Sequence, residues 1–236
     1  MSTTFTPGER DATIQVERRF AHPPERVWRA VSEPTGLAAW FPSTVEIDLR
    51  VGGRVGFSFG EDGKVTELDP PRLLAFTWDG ELLRFELEPD GDGTRFRLLH
   101  TFADREAAAS SAAGWQECTA ALGRSLDGLP VEETDPVAIR AEHERLLSEF
   151  GLAAPVTKRV ADGWQVRIER QLTAPAEVVE PVLPPATDGM RFELGEGTGM
   201  GARLVATWTG PDAAGRDTAL VELPRQVGEL VARIRR

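Results

Sequence analysis

Cysteine is almost absent from this chain. Cys118 is the only one among 236 residues, so no disulfide can form within the chain, and a reducing, cytoplasmic setting is expected. Long apolar runs are absent too. No stretch approaches the ~18 residues of a membrane span, and the opening MSTTFTPGERDA lacks the apolar core of a secretory signal. Basic charge is scarce: 27 Lys and Arg stand against 38 Asp and Glu, a net charge of −11. That balance excludes sequence-independent binding to nucleic-acid phosphates and disfavours attachment to an anionic lipid surface. Lysine is reduced to Lys64 and Lys158, which with the richness in Ala, Gly and Pro reads as compositional bias. His22, His100 and His143 fall on different expected elements without ligand spacing, so neither a metal site nor a cofactor is expected.

What is present is ample core material, 41% hydrophobic residues, in a length that suits one large or two small domains of ~100–200 residues. Ile14, Val16, Arg18 and Phe20 alternate with Gln15, Glu17 and Arg19, the pattern of a strand at 13–21. Pro23 and Pro24 break it and open a helix near 24–31, where Val27, Trp28 and Val31 recur at helical spacing. A second helical turn near 34–39 delivers Trp40 and Phe41. Strands follow near 44–50, 53–59, 63–69, 72–79, 82–88 and 94–103, separated by turn-forming Gly52-Gly53, Gly60 to Gly63, Asp69-Pro70-Pro71, Asp79-Gly80 and Asp90 to Gly93. A helix from about Ser111 to Leu126 closes the segment, with Trp115, Cys118, Leu122 and Leu126 on one stripe.

Several pieces of this half recur in a known order. They are Val27-Trp28, Trp40-Phe41, VGGRVGFSF from Val51, GKVTELDPPRLLAFTW from Gly63, GTRFRLLHTF from Gly93, and Gly114-Trp115 opening an apolar helix. As an ordered set covering roughly residues 12 to 127, it resembles the Hsp90-ATPase-activator-like branch of the helix-grip (START/Bet v 1-like) superfamily. The resemblance implies an α+β fold in which a curved antiparallel sheet wraps around a long C-terminal helix, often with an apolar ligand cavity between them.

Residues 128–160 read as a helical connector. Asp135 and Pro136 form an N-cap and N1 pair, Ile139, Leu146, Leu147 and Phe150 make an apolar stripe, and Gly151 ends the helix. Residues 161–236 look like a truncated second copy of the 1–127 domain. IERQLTAPAEVV from Ile168 parallels VERRFAHPPERV from Val16, RFEL occurs at Arg84 and again at Arg191, and GMGARL from Gly199 falls where GDGTRF from Gly91 does. The second hinge and the middle hairpins are missing. A three-stranded remnant with one helix buries little by itself, so docking on the first domain or on a partner chain, as in a homodimer through 161–236, is expected.

Aromatic residues concentrate on one expected sheet face. Phe57 and Phe59, Phe85, and Phe102 with His100 share that face, and Trp28, Trp40, Trp78 and Trp115 add to it. With Arg18 these ten residues are the candidate ligand contacts. Arg18 and His100 are the polar members: a buried Arg needs an acidic partner or a bound group, and Arg170 repeats its position, which favours a structural ion pair. His100 is either a satisfied core imidazole or a group that orients a ligand oxygen or exchanges a proton. Cys118 reads as a small core residue, and the Gly197, Gly199, Ala202 string precedes a strand, the wrong context for a dinucleotide.

The function expected from these residues and the resemblance is binding of a small hydrophobic or amphipathic molecule in the first domain, with no catalytic residue assigned. One alternative is an enzyme like the polyketide cyclases and dehydratases, which need more polar residues in the pocket than Arg18 and His100. The other is a protein-interaction module. The eukaryotic Hsp90 activators, however, also rely on an N-terminal domain with no counterpart ahead of residue 12.

Overall fold

The computed structural model describes residues 1–187 and 189–234. It divides into two compact units, Met1–Ile139 and Arg140–Arg236, the final two residues lying outside the described part.

The first unit is an eight-stranded antiparallel sheet with helices on one face. In chain order it comprises β1 (Ser2–Pro7), β2 (Ala12–Phe20), α1 (Pro24–Ser32), α2 (Pro34–Leu37), β3 (Val45–Ile47), β4 (Arg54–Phe57), β5 (Gly63–Asp69), β6 (Leu73–Trp78), β7 (Glu81–Asp90), β8 (Gly93–Phe102) and α3 (Ala108–Leu126). The strand order is β1-β2-β8-β7-β6-β5-β4-β3, a meander whose first two strands close beside its last. This is the helix-grip arrangement expected from the sequence.

Local chemistry sets the breaks. Pro23 caps α1 in extended backbone and Pro24 supplies its first turn, while Glu33, extended ahead of Pro34, ends α1 and begins α2. Asp79 and Gly80 both have positive φ (54° and 79°), the two-residue turn whose twist matches antiparallel strands, and it joins β6 to β7. Alternation then buries one sheet face: Ile14, Val16, Phe85, Phe96 and Leu98 are completely inaccessible. On the other face Arg84 pairs with Glu67 and Glu86, and Arg97 with Glu86, Glu88 and Glu17. Glu86 and Glu88 are thus members of a cross-strand ion ladder.

Two strands were not expected. β1 occupies the stretch ahead of residue 12, pairing Thr3 with Val16 and Phe5 with Ile14, and Gln116 Nε2 of α3 donates to Thr3 Oγ1 at 2.8 Å. β9 (Val156–Val160) lies inside the stretch read as connector and pairs with β10 (Gly163–Gln171). Both are edge strands rich in polar residues, so neither carries the apolar alternation that marks a buried strand.

α4 (Pro136–Glu149) begins at the end of the first unit, with the Asp135 carboxylate accepting from the Val137 amide at 2.8 Å. The second unit continues with β9, β10, α5 (Ala176–Val179), β11 (Met190–Gly195), β12 (Arg203–Gly210) and α6 (Ala213–Ile234), in a sheet ordered β11-β12-β10-β9. It has four strands rather than three. It also has a core of its own, including Val166, Ile168, Leu204, Ala206 and Leu223.

A filled interior in the first unit has a measurable consequence. Phe85→Ala is expected to lower the unfolding free energy in urea by about 3–5 kcal/mol. A loss below about 1 kcal/mol would mean that Phe85 borders empty space rather than packed rings.

Candidate functional site

The aromatic residues expected to line a cavity between sheet and helix pack against one another. Phe41 is the hub. Its ring centroid lies 5.3 Å from Trp78, 5.5 Å from Trp115, 5.7 Å from Trp40, 6.2 Å from Phe76 and 6.3 Å from Phe57. Trp40 continues the contacts to Phe85 and Phe96, and its indole N–H donates to the Ala30 carbonyl at 2.9 Å. Trp28 and Phe102 are buried as well, Phe102 against the His100 ring at 4.9 Å. The space expected to be hollow is therefore occupied by side chains. Phe41 and Phe76, left out of the candidate set, are central to that packing.

Phe59 departs from the expectation. It is 54% exposed and meets only the edge of Trp78, because β4 ends at Phe57 and Gly60 turns the chain away at φ 76°. Trp40 is only 4% exposed and belongs to the core.

The polar candidates are satisfied by α3. Arg18 does not form the expected ion pair: its Nε donates to Thr119 Oγ1 at 3.0 Å and its Nη2 to the Gln116 carbonyl at 3.3 Å. Burial pulls its pKa down, an effect partly offset by the Glu117 carboxylate. His100 Nδ1 lies 3.1 Å from the Trp115 indole nitrogen and Nε2 lies 2.6 Å from Glu81 Oε2. An indole N–H can only donate, so Nδ1 is the acceptor and the ring proton sits on Nε2, donated to Glu81. Both ring nitrogens are thus engaged, and His100 is a satisfied core imidazole. Of the other histidines, His22 meets Asp127 at 2.8 Å and His143 is buried in the second unit.

A concave site does exist in the first unit, on the reverse of α3. Trp115, Thr119, Leu122 and Leu126 point α3 at the sheet, whereas Glu117, Ala120, Ala121 and Arg124 lie on the opposite side of the helix. Cys118, expected on the inward stripe, falls at its margin and is only half-buried. These reverse-face residues, the 38–41 segment after α2 and the 131–138 segment border a half-open cleft of ≈ 400 Å³. Ala38, Trp40, Phe41, Ala121 and Val131 give it apolar walls, and Glu117, Glu132, Glu133 and Asp135 a carboxylate rim. Among the ten candidate residues, only Trp40 borders it. Sequence reasoning missed the rest because the walls are small residues from three separated segments. The one available signal was the Ala-rich face of α3 opposite its apolar stripe.

Burial pushes the Cys118 thiol up to about 12, with the Glu117 charge acting in the same direction. The unfolded thiol ionises near 9 while the folded one keeps its proton, so raising the pH between these values favours the unfolded chain. Denaturation midpoints of the wild type should therefore fall relative to Cys118→Ala between about pH 9 and pH 12. The chain has no tyrosine to titrate in that window. Parallel curves for the two proteins would show that the thiol is solvated.

Residues 21–127 match the family described as Activator of Hsp90 ATPase homolog 1-like protein. Among solved structures, CalU16 from Micromonospora echinospora is similar in its crystal form, at 24% identity over 64% of this chain and 98% of its own, with a TM-score of 0.52. Its solution structure gives 25% identity over 64% and 97%, with a TM-score of 0.53. A conserved protein of unknown function from Enterococcus faecalis, EF2215, gives 24% identity over 62% and 91%, with a TM-score of 0.55. No curated protein matches the chain. Strand order, the long α3 and the family match agree: the first unit has the helix-grip fold, and over residues 21–127 it is similar to the Activator of Hsp90 ATPase homolog 1-like family.

Proposed function

We propose that the first unit binds a small amphipathic molecule, and that it does so in the cleft behind α3. The observation that carries this reading is the cleft itself. Its ≈ 400 Å³ falls within the ~300–1,000 Å³ typical of small-molecule sites, and it joins apolar walls to a polar rim. The space between sheet and helix, where the family resemblance would place a ligand, is taken up by the rings around Phe41.

Binding is favoured over catalysis by the state of the reactive groups. His100 has no free ring nitrogen to act as a base, and Cys118 stays a thiol rather than a thiolate.

Ala121→Trp tests the assignment, because an indole at that position would fill the cleft from the half-exposed face of α3. The expected result is at least a tenfold loss of affinity for an apolar fluorescent probe such as 1-anilinonaphthalene-8-sulfonate or Nile red, with the urea midpoint unchanged. Undiminished probe binding would place the site elsewhere. Native mass spectrometry of the purified wild type and variant gives the complementary reading, a retained molecule in the first and none in the second.

A further inference from the structure

We infer that the occupant of this cleft is a cationic amphiphile, a molecule with an apolar body and an ammonium-type head. The inference rests on the binding reading above and extends it to the charge of the ligand. Four carboxylates border the cleft and a single guanidinium, that of Arg124, stands among them. Arg124 is already committed. Its Nη2 lies 2.8 Å from Glu132 Oε1, and its Nε donates to the Pro130 carbonyl at 2.6 Å. Recruiting it for an anionic head group would break an ion pair and leave that head group facing Glu117, Glu133 and Asp135. A cation meets the opposite situation. Glu117 and Glu133 are exposed at the rim, where the concave apolar walls concentrate their field on whatever lies between them.

The reach of the Glu117 charge is visible inside the protein. It favours the protonated form of Cys118, and at Arg18 it partly offsets the downward pull of burial. The net charge of −11 adds a long-range contribution of the same sign.

The test uses three ten-carbon probes below their micellar concentrations: decyltrimethylammonium, decyl maltoside and decanoate. They are titrated against the full-length protein by calorimetry at low salt. The expected order is cation, then neutral, then anion, with at least tenfold between the first and the last. In the double variant Glu117→Gln, Glu133→Gln that ratio should collapse towards one while decyl maltoside keeps its affinity. Glu177→Gln, an exposed glutamate of the second unit, should leave the ratio as it is. Binding of all three probes with equal affinity, or a preference for decanoate, would overturn the cationic assignment and leave the cleft standing. A preference equally reduced by Glu177→Gln would assign it to overall charge and overturn it too. No binding by any probe would overturn both the cleft and its ligand class.

Discussion

The packing of rings around Phe41 is the constraint on which the rest of the first unit depends. A sheet that curls around a single helix leaves a wedge of space, and what fills that wedge decides where a ligand can go. Here the short α2 turn is fixed by hydrogen bonds from the Trp40 and Phe41 amides to the Leu37 carbonyl at 3.1 and 2.8 Å. That turn drives both rings into the wedge from its open side, against side chains of β4, β6, β7 and α3. Aromatic pairs at 5–6 Å contribute about 0.5–1.5 kcal/mol each beyond their burial, so opening this cluster to admit a ligand would cost several contacts at once.

The same rings determine which face of α3 is available. The inward face is tied to the sheet at three points: Trp115 to His100, Thr119 and the Gln116 carbonyl to Arg18, and the Gln116 side chain to Thr3 of β1. Each tie satisfies a polar group that burial would otherwise penalise by about 1–3 kcal/mol. The helix cannot slide or roll without breaking them, and its reverse face, lined by alanines, is held at a fixed distance from the 38–41 segment. A shallow amphipathic cleft is the product of that rigidity.

How much of this the sequence disclosed follows from the type of signal each part carries. Buried strands with apolar alternation were legible, as were the turns that needed Gly or a Pro pair and the α1 start at Pro24. β1 and β9 were not, because an edge strand of Thr, Lys and Arg satisfies its backbone through one neighbour and needs no apolar face. Phe59 was misplaced because alternation reads on past Phe57, whereas the ladder stops there. Five of the aromatic candidates, Trp40, Phe57, Trp78, Phe85 and Trp115, do gather in one cluster of rings. Whether a cluster is a lining or a plug, however, depends on ring positions in space, which alternation does not encode. The cleft itself had no sequence signal beyond small residues on the outer side of one helix.

The second unit shows what the rings around Phe41 require of the fold. Its sheet pairs in the register of the first: Arg170 faces Leu204 as Arg18 faces Phe96, and Phe192 faces Ala206 as Phe85 faces Leu98. Among the described residues its sheet has no strands between the α5 region and β11, and at the paired positions it carries smaller groups, Ala206 where the first unit has Leu98 and Leu204 where it has Phe96. The position of His100 is taken by Trp208, whose ring lies so close to Gly210 that a Cβ there would stand 2.3 Å from it. Arg170, deprived of a threonine partner like Thr119, pairs instead with Glu144 of α4. The unit closes on a mainly aliphatic core around the Trp208 indole, and each half-buried arginine, Arg18 and Arg170, is satisfied by a helix of its own unit or one beginning beside it.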